Sequence, residues 1–185
     1  VILPRGLEDF LRQKLPKFTI HDETSVGEKL QISFDGTLKS DQLLAQQAML
    51  THEMGVLAAR TGFGKTVIAA SLIAERAVST LIIINSLILS TQWKKRLEQF
   101  LTIKNEPFVE YTKTGRKMKK DVIGSYYSNH KKLSRLVDIA TVQSLSRLGD
   151  ELNSFMSHYG MVIFDEVHHL AAVTNELVMK QVTAK

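Results

Sequence analysis

Apolar residues in this chain fall into two patterns: short solid runs of strand length and longer stripes at helical spacing. Thr80–Asn85 contains Leu81-Ile82-Ile83-Ile84. An unbroken apolar run of that size reads as a strand covered on both faces. Val137–Val142 and Met161–Phe164 read as further strands, Gly55–Ala59 as a short buried one, and Phe108–Tyr111 as another. Helical stripes lie between and before them. Ser40 to about Glu53 puts Leu43, Leu44, Gln47 and Leu50 on one face, and Ser90–Leu101 carries Trp93, Leu97 and Phe100. Val67–Ala77 is rich in Ala and Leu with no Pro or Gly, and Leu148–His158 is the last helical segment of this reading. Strands alternating with helices predict an α/β domain, a mostly parallel sheet with helices on both faces.

Residues 1–36 follow a different pattern. Leu7–Lys14 predicts a short helix ended by Pro16, and Leu30–Phe34 alternates apolar and polar before the Asp35-Gly36 turn signal. This segment reads as an N-terminal extension or the tail of a preceding domain, with the α/β domain occupying residues 37–185.

Composition narrows the class. The 185 residues are 44% hydrophobic and 23% charged, enough for one globular domain with a sizeable core. The absence of cysteine excludes disulfides and thiolate metal sites and suits a reducing interior. The apolar runs are too short to cross a bilayer and no basic-then-apolar leader opens the sequence, so a cytoplasmic location is expected. A net charge of +5 permits a polyanionic partner without demanding one. The charge is concentrated in one stretch: Lys113, Arg116, Lys117, Lys119, Lys120, Lys131, Lys132 and Arg135, opposed by Asp121 and interleaved with Tyr126 and Tyr127. Two readings stay open: a loop or hairpin touching nucleic-acid phosphates, with a tyrosine against a base, or a solvated insertion.

The chemistry is spelled most clearly by Ala59-Arg60-Thr61-Gly62-Phe63-Gly64-Lys65-Thr66. Gly62 and Gly64 let the backbone curl so that several N–H groups face one anion, and Thr61 and Phe63 count with them among the candidate nucleotide-binding residues. Lys65 brings positive charge to the β- and γ-phosphates, and Thr66 offers a hydroxyl to Mg²⁺. The helix that follows adds its N-terminal partial charge. This is a phosphate-binding loop with Ala59 where the usual pattern has Gly, and it implies a nucleoside triphosphate. Far downstream, the apolar strand Met161–Phe164 delivers Asp165 and Glu166 at its C-terminal end, where ligands of open α/β sheets bind. Asp165 is expected to hold Mg²⁺ together with Thr66, and Glu166 to act as general base toward the attacking water. His168 is expected to link the acidic pair to neighbouring polar groups. Without Cys or further clustered ligands, His168-His169 does not favour a structural zinc.

Taken together, Ala59-x-Thr61-Gly62-x-Gly64-Lys65-Thr66 and Asp165-Glu166-Val167-His168 resemble motifs I and II of superfamily 2 helicases and translocases. The Asp-Glu-x-His form is similar to the branch containing restriction-system motor subunits and related DNA-repair helicases. Leu38-Lys39-Ser40-Asp41-Gln42 resembles the segment whose glutamine reads adenine, which implies ATP and makes Gln42 the base-recognition residue. Ser90-Thr91-Gln92-Trp93 resembles the end of motif Ia, although Asn85-Ser86 stands where family members often carry a basic or proline-containing segment. Thr141-Val142-Gln143-Ser144-Leu145 resembles the motif that contacts the nucleic-acid backbone. Thr141, Gln143 and Ser144, with Lys117, Lys119 and Lys120 of the basic stretch, are therefore the candidate nucleic-acid contacts. The resemblance covers residues 37–185 and implies a RecA-like first motor domain, ending before motif III.

It also implies a second RecA-like domain in a longer chain, which would bring the arginine fingers that complete the ATP site. A nuclease domain or subunit is a further implied partner, as in restriction or conflict systems, and DNA is favoured over RNA. The chain by itself is expected to bind nucleotide weakly and hydrolyse it slowly or not at all. The competing expectations are a P-loop ATPase or kinase that does not move on nucleic acid, and a catalytically silent nucleotide-gated binding module.

Overall fold

The computed structural model describes residues 13–14, 23–112, 114–116, 120–128, 130–166 and 173–184. In chain order these form β1 (Ile32–Phe34), α1 (Ser40–Leu50), α2 (Lys65–Arg76), β2 (Thr80–Ile84), α3 (Leu87–Phe100) and β3 (Leu101–Ile103). There follow β4 (Ile123–Tyr127), β5 (His130–Lys132), β6 (Val137–Thr141), α4 (Val142–Ser146), a 3-10 turn (Gly149–Glu151), α5 (Leu152–Met156), β7 (Met161–Phe164) and α6 (Val173–Lys180). Five strands make the main sheet in the order β5-β4-β6-β2-β7, and β1 pairs antiparallel with β3 apart from it. β4, β6, β2 and β7 run parallel, and β5 folds back antiparallel on β4.

Alternate residues of the central strands feed two cores. Ile82, Ile84, Val137, Ile139 and Ile123 pack with Ala69, Ala70 and Ile73 of α2 and Trp93 and Leu97 of α3. Leu81, Ile83, Ala140 and Tyr126 pack with Leu145 of α4, Leu152 and Met156 of α5, Tyr159, and Val178 of α6. Helices therefore cover both faces. The handedness rule for parallel crossovers accounts for it: α3 carries the chain from β2 toward β4, whereas α4 and α5 carry it from β6 the other way to β7.

Three strand expectations change. Residues 55–59 form no strand: Val56 is 71% exposed. Among the described residues β7 ends the sheet and residues 55–59 do not pair with it, and an apolar run without a ladder partner is not a strand. Residues 108–111 are not a strand either. The Phe108 N–H donates to the Ser134 carbonyl at 2.9 Å, and its ring is held between Lys120 Nζ (5.0 Å from the centroid) and the Arg135 guanidinium (4.0 Å). In their place β4 enters the sheet, out of the stretch read from its charge as a loop or hairpin or a solvated insertion; with β5 it does form an antiparallel hairpin, but β4 is a buried strand of the main sheet. Its Tyr126 is buried, packed on Phe155 at 5.2 Å between ring centroids, and cannot meet a base. The expected helix 148–158 is split into the 3-10 turn and α5, after Gly149 adopts φ 53.

The boundary expected at residue 36 does not separate two packing units. Leu30 is buried in the first core with Ile32 and Phe34 against it, and the Lys29 backbone bridges Val78. The Glu28 and Ser79 main chains and the Ser79 hydroxyl close the N-terminal edge of β2 with bonds of 2.8–2.9 Å. Of the expected helix 7–14, only Gln13 and Lys14 fall among the described residues, and both are helical.

A buried carboxylate fixes the entry to β6. Asp138 is fully buried and accepts from the Ser134 N–H (2.7 Å), the Ser134 hydroxyl (3.1 Å), the Arg135 N–H (2.8 Å) and the Tyr159 hydroxyl (2.8 Å). Burial pushes its carboxyl above the ordinary range against the pull of those donors. Burial, with the adjacent Asp138, also holds the Tyr159 phenol protonated. Gly124 of β4 lies against this cluster, where a Cβ would collide with Asp138 Oδ1.

Candidate nucleotide and metal site

α2 places the phosphate-loop sequence. Its 12 residues span about 18 Å, and the five residues of β2 span about 16 Å. Only residues 77–79 connect them, so α2 runs back along β2 and its N-terminus comes to the C-terminal edge of the sheet. Ile68, Ala69, Ala70, Leu72 and Ile73 bury one side of α2 and lock that position. Gly64 caps the helix in a left-handed conformation (φ 93), and Gly62 precedes it at φ 81. The Gly64 carbonyl accepts from the Val67 and Ile68 N–H groups at 2.9 and 3.1 Å. Thr61 is exposed, and Phe63 and Thr66 are half-buried. Lys65 folds over the loop, its Nζ donating to the Ala59 carbonyl at 3.3 Å.

Gln42 joins this loop to α1. Its Oε1 accepts from the Lys39 N–H at 2.9 Å, and its Nε2 donates to the Phe63 carbonyl at 2.8 Å. A Cβ on Gly64 would run into Gln42 Nε2, whereas one on Gly62 would meet open space. The two glycines therefore differ: Gly62 serves the backbone angle alone, and Gly64 also serves the close approach of the amide.

The acidic pair sits on the same edge. The Asp165 N–H donates to the Ile83 carbonyl at 2.9 Å and prolongs the β7–β2 ladder. Asp165 Oδ2 accepts from the Trp93 indole Nε1–H at 2.7 Å, and Oδ1 from the Glu166 N–H at 3.0 Å. The chain then breaks from strand geometry, because Glu166 adopts φ 59. A left-handed Glu is strained by about 1–2 kcal/mol, the kind of strain found at functional turns.

The expected nucleic-acid contacts divide. Thr141 and Ser144 are buried, and their hydroxyls cap α4: Thr141 Oγ1 takes the Ser144 N–H at 3.3 Å and bonds Ser144 Oγ at 2.9 Å. The Ser144 hydroxyl also accepts the Ser128 N–H at 3.0 Å. Gln143 is exposed, its Nε2 on the Asn85 carbonyl at 3.3 Å. The Lys120 side chain is 3% exposed and lies 3.1 Å from Glu110 Oε2, off the axis of a hydrogen bond. It serves packing around Phe108 rather than an open basic face. Lys117, Lys119 and His168 lie outside the described residues. A cleft of about 640 Å³, lined by Glu28, Phe108, Arg135 and His158 among others, opens at the opposite end of the strands and carries none of the motif residues.

Two features escaped the sequence reading. Trp93 was legible as a core residue of α3, but its bond to Asp165 was not; the one available signal is that a buried indole N–H needs an acceptor. Asp138 gave no signal at all, since its partners come from separate elements.

A glycine-bent loop at the head of α2 and an acidic pair at the end of β7, on one edge of a mostly parallel sheet, define a RecA-like P-loop domain. The family model for the type III restriction enzyme res subunit matches residues 28–185, and the chain belongs to that family. It is similar to the DNA 3'-5' translocase XPB2 of Sulfurisphaera tokodaii, 29% identical over 133 residues, which cover 72% of this chain and 25% of that protein. It is similar also to the DNA 3'-5' helicase XPB of Mycobacterium tuberculosis, 29% identical over 140 residues, covering 73% of this chain and 23% of the relative. The chain thus spans about a quarter of the length of these curated relatives. Family and relatives agree with the resemblance read from the motifs: this is the motor-domain type of superfamily 2 helicases. Among the described residues no helix is long and apolar enough to cross a membrane.

Proposed function

We propose that this chain is the ATP-binding part of an ATP-dependent DNA helicase or translocase. The observation that carries the reading is that the head of α2 and the Asp165–Glu166 turn both lie at the C-terminal edge of one sheet. Lys65 leaves the Ala59 carbonyl to pair with the β- and γ-phosphates, and the loop N–H groups cradle them. The donors suit Mg²⁺, which prefers hard oxygen ligands and keeps several waters: the Thr66 hydroxyl and the Asp165 carboxylate, whose two oxygens each accept one hydrogen bond and keep lone pairs for a metal or its water. When bound, the ion neutralises charge on the transferring phosphoryl group. Glu166 takes the proton of the attacking water. Gln42 keeps one N–H and one lone pair for adenine beyond its two bonds. His168, which lies outside the described residues, is assigned the link between the acidic pair and neighbouring polar groups on the motif resemblance alone.

In the whole protein we assign a second RecA-like domain as the partner that closes the nucleotide site, DNA as the track, and the cytoplasm as the setting. A nuclease domain or subunit fits the restriction-enzyme family. The test is ATP hydrolysis by the full-length protein with and without DNA and RNA, with Glu166→Gln as the blank. DNA should raise turnover, and Glu166→Gln should cut it by about 10²–10⁴ while nucleotide still binds. Turnover indifferent to any nucleic acid would favour the second reading, a P-loop ATPase that does not move on DNA. The burial of Thr141, Ser144 and Lys120 is the observation on that side.

A further inference from the structure

We infer that Trp93 is a positioning residue for the metal-binding carboxylate: its indole N–H fixes Asp165 so that nucleotide is bound preferentially with its magnesium ion. This rests on the reading of Asp165 as the magnesium ligand. Trp93 is 4% exposed and packed in the first core, with α2 and the central strands around it. Its ring is thus held by packing, and its one polar atom is directed at Asp165 Oδ2 at 2.7 Å, a short bond from a neutral donor to a carboxylate. The other oxygen, Oδ1, is tied to the Glu166 N–H at 3.0 Å. Held at both oxygens, the carboxylate cannot rotate about its terminal torsion, which is otherwise broad. Each oxygen keeps a lone pair for a metal or its water. Support of this kind for a metal-binding group is worth about 10–100-fold in metal affinity where it has been removed from other sites. The packing also ties Asp165 to α3, which follows β2 directly.

The chain has one tryptophan, so its indole N–H gives a single signal. In the ¹⁵N-labelled chain, ADP with Mg²⁺ should move that cross-peak, ADP with EDTA should leave it near its free position, and Asp165→Ala should shift it and abolish the response to Mg²⁺. This measurement needs no change at Trp93 and stands even if a Trp93 variant folds poorly. Trp93→Phe, which keeps an aromatic ring in the core, should raise the Mg²⁺ concentration needed for half-maximal nucleotide binding about tenfold, with affinity for metal-free nucleotide unchanged. A cross-peak indifferent to Mg²⁺ in a chain that does prefer magnesium nucleotide overturns the inference. So does a Trp93→Phe chain with the wild-type Mg²⁺ requirement, or one that loses metal-free and metal-bound nucleotide equally, as a merely structural role would. If the wild-type chain and Asp165→Ala bind nucleotide alike with and without Mg²⁺, the reading of Asp165 itself falls.

Discussion

The Gln42 side-chain amide donates to the Phe63 carbonyl at 2.8 Å, joining the start of α1 to the crown of the phosphate loop. One amide therefore supports the loop while its remaining N–H and lone pair stay available to a base. Gln42→Ala should weaken ATP binding about tenfold, through the lost loop support and the lost base contact together. GTP binding should fall less, because only the loop support applies to it. Titrations of both nucleotides check this, and equal losses would remove adenine recognition from the account.

The two loop glycines should respond differently to alanine. At Gly62 a methyl group meets open space, so Gly62→Ala costs only the left-handed backbone, about 1 kcal/mol. At Gly64 it also displaces Gln42 Nε2. Gly64→Ala should therefore lower Tm further than Gly62→Ala and reduce ATP affinity at least as much as Gln42→Ala. Thermal melts and titrations of the two variants decide it, and equal behaviour would contradict the close approach.

Asp138 is a stability residue outside the nucleotide site. In Asp138→Asn an amide NH₂ would face donors from Ser134, Arg135 and Tyr159. Leaving such donors unpaired in the core should cost about 2–4 kcal/mol, or a drop in Tm of about 4–16 °C for a domain of this size. Denaturant and thermal unfolding measure it. Folded Asp138→Asn protein should bind nucleotide as wild type does.

The basic stretch should divide in DNA binding by the full-length protein. Lys120→Ala removes a cation packed against Phe108 and Glu110, so it should leave the salt dependence unchanged. Lys117→Ala with Lys119→Ala should flatten the slope of log K against log salt by about 1–2 units if both touch phosphate. A slope altered by Lys120→Ala would contradict its buried role. A slope unmoved by the other pair would leave the stretch as a solvated surface.

The elements with long periodic patterns were legible in the sequence. Apolar runs gave β2 and β7, a mostly apolar run around Asp138 gave β6, and helical stripes gave α2 and α3; α1 forms where a helix was expected, but its stripe of Leu43, Leu44, Gln47 and Leu50 is exposed, and Gln42 and Gln46 are its buried residues. β4 was hidden because Gly124 and Ser125 interrupt its apolar run, and because the lysines around it pointed to a surface. Gly124 is there for the close approach to Asp138, a reason that exists only in three dimensions. Residues 55–59 erred the opposite way: they carry strand composition, but backbone pairing decides a strand. The motif residues were singled out because phosphate chemistry dictates their spacing. Their supports, Trp93 behind Asp165 and Phe63 beside Gln42, were not, since contacts between elements leave no period in the sequence.

The central claim is that this chain holds a magnesium nucleoside triphosphate on the loop at Gly62–Thr66. Calorimetric titration of ATP with Mg²⁺ into the wild-type chain and into Lys65→Ala tests it most directly. Saturable one-to-one binding by the wild type is expected, with a loss of about 10–100-fold in Lys65→Ala, the worth of a charge-assisted contact. Equal affinity in the two, or no binding by a folded wild-type chain, would contradict it.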